Sequence, residues 1–147
     1  MNETLDFGFY LQRAAFLVDQ ISRVALEKNA DILLQQFLIL DLLSSATESQ
    51  NQQTLSNKLG ITKGAVSKQL DVMEKLGWVK RTTSDHSRRE YIILTTTEGS
   101  KKLSQARKAL TEVGQPIVDG LGAKSFPVLV KKLHELCLLL DPEEKVY

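Results

Sequence analysis

TLSNKLGITKGAVSKQLDVMEKLGWVKR, residues 54–81, holds two short amphipathic segments joined at a glycine and then passes without a linker into strand-like residues. In the second segment Val66, Leu70 and Met73 recur at spacings of four and three, which places them on one stripe of a helix. Lys63, Gly64, Ser67, Lys68 and Asp71 then face elsewhere. Gly60 is placed to end the first helix and Thr62 to cap the second, which runs to Gly77. Helix pairs of this kind are common, and a solvated lysine face is an ordinary outcome. A helix that starts with small, basic and hydroxylated residues also fits the major groove of DNA, where its free N–H groups favour phosphate.

The residues after Gly77 favour the groove. Trp78 to Thr83 reads as a strand, Ser84 to Arg88 as a turn, and Glu90 to Thr95, with Tyr91, Ile92, Ile93 and Leu94, as the return strand. A helix-turn-helix followed at once by a hairpin is a winged helix-turn-helix. The expected fold class is therefore mainly α with a small β-hairpin wing. Arg88 and Arg89 would stand at the wing, where one guanidinium or the other reaches a minor groove or flanking phosphates.

Working outward, Asn51 in the polar stretch TESQNQQ is placed to cap the first short helix, and Gln53 and Thr54 at its start are candidates to bind phosphate. Residues 33–46, LLQQFLILDLLSSA, read as a strongly buried helix. Residues 4–28 read as another, apolar around much of its circumference, which calls for partners on more than one side. Beyond the wing, Thr95 to Glu98 fits a T-x-x-E capping box opening a long helix. Pro116 is expected to kink or end that helix, and Gly120 and Gly122 mark a break. Ser125 with Pro127 opens a last helix through VLVKKLHELCLLL, closed by Asp141 and Pro142.

Composition narrows the function class. A chain of 147 residues, 42% hydrophobic and 25% charged, suits one domain with a real core. The start MNETLDFGFY lacks a secretion signal's pattern, and no apolar run approaches the ~18 residues of a spanning helix, so a cytoplasmic, membrane-free protein is expected. The single cysteine and the two distant histidines, His86 and His134, provide no metal-ligand spacing and no nucleophile–base pair. Neither an enzyme nor a cofactor is expected. Cys137, beside Leu136 and Leu138, reads as a small core hydrophobe, His86 as a solvated turn residue and His134 as structural. The net charge of +1 hides an asymmetry: residues 51–95 carry eight basic and four acidic side chains, residues 1–50 three and seven. The positive charge is concentrated in the middle, as a nucleic-acid footprint requires.

At this point the chain resembles the MarR-type transcriptional regulators over nearly its whole length. The most specific part is Val66, Ser67, Lys68, then Met73, Glu74, Gly77, Trp78 and Val79, similar to the family's recognition helix followed by Leu-Glu-x-x-Gly and an apolar pair. Met73 stands where leucine is usual, a swap of similar volume. The wing is similar to the family's acidic-x-Arg signature, with Ser87 in place of the acid. TTTEGSKKL resembles its Leu-Thr-x-x-Gly helix start, with Thr95 in place of leucine.

The resemblance implies a homodimer held by residues 1–32 and 98–147, with residues 33–97 as the winged helix binding a roughly palindromic operator on double-stranded DNA. Repression is the usual outcome, relieved in some members by a small-molecule effector. Phe9, Arg13, Phe16 and Phe37 are candidates to line such a pocket, although aromatic residues at helical spacing usually just pack. Independently, LHELCLLL ends the last helix with more apolar surface than a single chain of this size covers easily. The DNA-contact candidates are Gln53, Thr54, Thr62, Lys63, Gly64, Ser67, Lys68, Arg88 and Arg89. A winged helix that docks another protein and binds no DNA is the alternative.

Overall fold

Two long helices and a C-terminal third frame a small winged helix. The computed structural model describes residues 2–84 and 87–141, and of residues 87–89 the backbone alone. The order is α1 (Glu3–Ala30), α2 (Leu34–Ser45), β1 (Gln50–Asn51), α3 (Gln52–Leu59), α4 (Lys63–Lys75), β2 (Val79–Ser84), β3 (Ser87–Thr95), α5 (Thr97–Leu121) and α6 (Ser125–Leu140). Asn2 caps α1 by accepting from the N–H groups of Thr4 and Leu5, and Glu3 and Asp6 in the first turn complement the helix dipole. Asp31 ends it in the left-handed region at φ 47°, which a short polar side chain tolerates better than most.

The core lies where α2, α3, α4 and the start of α5 converge. Leu26 of α1, Ile39 and Leu40 of α2, Leu55 of α3 and the expected trio Val66, Leu70 and Met73 of α4 are all fully buried. Gln36, itself buried, accepts from the Leu33 N–H at 3.1 Å and donates to Gln69 at 3.2 Å, so one side chain closes the start of α2 and fastens it to α4.

The sheet is antiparallel with order β1-β3-β2, one strand more than the expected hairpin. β1 pairs only Gln50 with Ile93 and Asn51 with Ile92, and two polar residues carry no period-two signal. β3 also begins earlier than expected. Ser84 pairs with Ser87 after an irregularity that follows the Thr83–Tyr91 pair, so Ser87, Arg88 and Arg89 are strand in backbone rather than turn. Ladder pairing uses backbone groups, and side-chain polarity does not forbid it. Asp85 and His86 lie outside the described residues, as do the side chains of Arg88 and Arg89.

Three further expectations need correction. The cap of α5 is Thr96, whose hydroxyl accepts from the Gly99 N–H at 3.0 Å, because Thr95 is held in the ladder opposite Val79. Glu98 pairs instead with Lys101. Pro116 does not end α5, which continues to Leu121, and Gly120 lies inside it. The chain turns only at Gly122, at φ 84°. Cys137 is exposed, not core, and no residue of α6 is buried within the single chain. His134 is likewise exposed on α6.

Candidate nucleic-acid interface

The start of α4 is built by its neighbours. Thr62 accepts from the Ala65 N–H at 3.2 Å, and Gln52 of α3 donates to the Lys63 carbonyl at 3.0 Å, fixing the two helices of the motif to each other. Gly60, at φ 63°, makes the turn between them. The result turns Thr62, Lys63, Gly64 and Lys68 to solvent, with Ser67 half-buried beside them. Nothing lies within 4 Å of a Cβ built on Gly64, so the surface is open there. Neither lysine forms an ion pair with another described residue.

Asn51 and Thr54 are committed to the start of α3. The Asn51 side chain accepts from the Thr54 N–H at 2.8 Å and the Thr54 hydroxyl accepts from the Asn51 N–H at 2.9 Å, a reciprocal capping box. Thr54 is therefore a structural cap first. Gln53 is exposed and donates to Asn57 at 2.9 Å. The Asn51 amide also donates to Glu90 at 2.8 Å, tying the cap to the wing. A crevice of about 140 Å³ separates these helix starts from the wing, between Gln52, Lys63, Arg81 and Tyr91.

Arg81 is the residue whose role the sequence did not disclose. Its guanidinium donates to Glu74 at 2.5 Å and Asp71 at 2.7 Å, and its own N–H donates to Glu74 at 3.2 Å. Partial burial opposes the charged guanidinium, but bonds to Asp71 and Glu74 outweigh it and raise its pKa. Arg81 thus pairs with both α4 carboxylates, offsetting one of their two charges, and staples β2 to that helix. The spacing that hints at this is Asp71 and Glu74 at i and i+3, one face of a helix.

A second junction fastens the wing to α5. The Trp78 carbonyl accepts from the Thr96 N–H at 3.0 Å and lies 2.0 Å from where a Cβ on Gly99 would stand. Lys102 places its ammonium 5.2 Å over the Trp78 ring and donates to the Ala30 carbonyl at 2.8 Å, linking α1, α5 and the end of the recognition motif.

The proposed effector residues are not brought together. Phe37 is buried in the core at 9% exposure, whereas Phe9 and Phe16 are 66% and 52% exposed on the N-terminal half of α1. The Arg13 guanidinium sits 5.6 Å over the Phe16 ring. Phe37 packs inward because α2 buries its apolar face, while that half of α1 is left uncovered by its own chain. Phe37 thus faces the core, and Phe9, Arg13 and Phe16 are exposed in the single chain.

Residues 30–90, the end of α1 through to the wing, match the family model described as MarR family. The winged-helix region is thus similar to the MarR family. No curated protein matches the chain. Among solved structures, the chain is similar to a transcriptional repressor, CouR, bound to a 23-mer DNA duplex, with 27% identity, 88% of this chain and 91% of the other covered, and a TM-score of 0.78. It is similar to CouR from Rhodococcus jostii RHA1 bound to p-coumaroyl-CoA, at 21% identity over 97% and 96% of the chains and a TM-score of 0.79. A cysteine-to-serine mutant of MarR from E. coli complexed with operator DNA shares 23% identity over 92% and 96%, with a TM-score of 0.75. The likeness extends over α1, α5 and α6, beyond the residues that the MarR-family model matches. No described helix is long and apolar enough to cross a membrane.

Proposed function

We propose that this protein is a DNA-binding transcriptional regulator that acts as a homodimer on a roughly palindromic operator, most simply as a repressor in the cytoplasm. The observation that carries the reading is the start of α4, where Thr62, Lys63, Gly64 and Lys68 face outward with Ser67 half-buried beside them, while Arg81 holds the nearby carboxylates in ion pairs. Lys63, Ser67 and Lys68 contact bases or phosphates, Thr62 adds a phosphate contact, and Gly64 permits close approach. Gln53 and the α3 backbone near Thr54 bind a flanking phosphate. Arg88 or Arg89 completes the contact from the wing. The likeness to repressor and operator complexes supports this assignment.

Dimerisation is supported by the apolar side chains left open on α1 and α6, with Leu5, Phe9 and Tyr10 near one end of the chain and Leu139 and Leu140 near the other each more than 65% exposed. A second copy covers them and sets two recognition helices one helical turn apart, ~34–36 Å, or a multiple of that. An effector that releases DNA fits the same reading, since CouR is similar and binds p-coumaroyl-CoA. In the dimer, the second copy supplies the wall that Phe9, Arg13 and Phe16 lack in one chain. Titration of the protein into duplexes from its own upstream region tests the proposal, and absence of duplex binding at any salt favours a protein-docking winged helix instead.

A further inference from the structure

Behind the wing, away from the recognition helix, a cavity of about 480 Å³ opens where β1 stops short and leaves its edge of β3 uncovered beyond Ile93, while the other edge stays paired with β2. Leu43, Ala46, Ile93 and Leu94 give it apolar walls, and Ser44, Ser49 and Ser100 add hydroxyls. Glu48 and Lys80, both exposed, stand among its lining residues with opposite charges, so it has no net preference for an ion. Its volume lies within the range of small-molecule sites, about 300–1,000 Å³.

Two lining residues set it apart from an ordinary crevice. Gln50 is 6% exposed; its amide N–H donates to the Glu48 carbonyl at 2.8 Å, but its Oε1 is buried with no partner. Thr95 Oγ1 is buried and unpartnered as well, and these two are the only such side-chain atoms among the described residues. Gln50 pairs directly with Ile93, and Thr95 lies two residues on along β3, so both side chains project from the same face of the sheet as diagonal neighbours. Buried polar atoms are nearly always satisfied, and unsatisfied ones in a native fold call for a partner. That both residues line the same cavity points to a partner held there.

We propose that this cavity is a binding site for a small neutral hydroxylated molecule with an apolar body. A hydroxyl both donates and accepts, so one group serves the acceptor Gln50 Oε1 and the Thr95 hydroxyl together, while the leucine and isoleucine walls hold the body. A carboxylate cannot donate to Gln50, and the opposite charges of Glu48 and Lys80 on the lining offer it no net charge to meet. The site borders the end of α2, both outer parts of the sheet and the start of α5, the elements that set the wing's position, so occupancy is a route to altering DNA contact.

The test is a titration of the isotopically labelled full-length protein, without DNA, by phenol and by toluene, which differ by a hydroxyl in place of a methyl of similar size. Saturable amide shifts confined to residues 43–50, 80 and 93–100, with phenol at least tenfold tighter than toluene, are expected. Thr95→Val and Gln50→Met are each expected to erase that preference. Thr95→Val is also expected to leave the melting temperature of the free protein unchanged or raised, because an orphaned hydroxyl is lost. Equal affinity for the two compounds, no saturable shift, or a Thr95→Val variant that melts lower because an internal water already satisfied the hydroxyl would each overturn the proposal. None of these outcomes depends on whether the protein binds DNA.

Discussion

Replacing Gly99 with alanine reverses the sign that helix propensity alone would give. Gly99 sits in the first turn of α5, and alanine in a helix is ordinarily favoured over glycine by about 1 kcal/mol. Here the new Cβ would lie 2.0 Å from the Trp78 carbonyl oxygen and 2.9 Å from its carbon, and real Cβ contacts essentially never fall under 3.0 Å. The two backbones must therefore part by about 1 Å. That movement disrupts two hydrogen bonds across the junction, from the Thr96 N–H to the Trp78 carbonyl and from the Thr96 hydroxyl, which the Gly77 and Trp78 carbonyls share. At about 1 kcal/mol net each, their loss outweighs the propensity gain and leaves a destabilisation of about 1 kcal/mol. For a chain of this size that lowers the melting temperature by about 2–4 °C. Urea and thermal unfolding at one fixed protein concentration reads the effect, since association shifts apparent stability. A Gly99→Ala protein as stable as the parent would refute the close packing of β2 against α5.

Gly64→Ala, where nothing lies within 4 Å, is expected to keep or slightly raise the melting temperature while weakening duplex binding, a split visible by comparing the two measurements. Arg81→Ala removes both carboxylate bonds; because Asp71 and Glu74 are 58% and 41% exposed, the stability loss is expected to stay near 1 kcal/mol in urea unfolding, with DNA affinity falling more because the α4 acids lose their counter-charge. The raised pKa of Arg81 makes its contribution complete below the ordinary arginine value and lost only in strong alkali, so this clamp is expected to add no slope to stability between about pH 5 and 9. Leu139→Glu, at a position 78% exposed in the single chain, is expected to shift sedimentation toward monomer while far-ultraviolet circular dichroism stays helical.

How far the sequence reaches depends on which force fixes each feature. Hydrophobic spacing located α2 and the Val66–Leu70–Met73 stripe, and glycine and threonine chemistry placed the Gly60 turn and the Thr62 cap, because burial and capping are written in residue type. β1 escaped notice since its pairing depends on backbone alone, and the cap of α5 fell one residue late because the β3 ladder claims Thr95. Cys137 reads as core from its leucine neighbours, yet α6 has nothing from its own chain to bury it. The α4 face was legible as a list of exposed residues. Its electrostatics were not, since Arg81 counts as positive charge in the sequence and is spent on Asp71 and Glu74 in the fold.

The central claim is that the α4 start and the wing bind phosphate and bases of duplex DNA. The most direct test is affinity for upstream duplexes across a salt series, with the Lys63→Ala/Lys68→Ala and Arg88→Ala/Arg89→Ala proteins alongside the parent. The account predicts sequence-selective binding that weakens steeply with salt, and a log–log slope smaller by about one for each phosphate contact removed. A parent protein that binds no duplex, or variants that bind with unchanged affinity and slope, would contradict it.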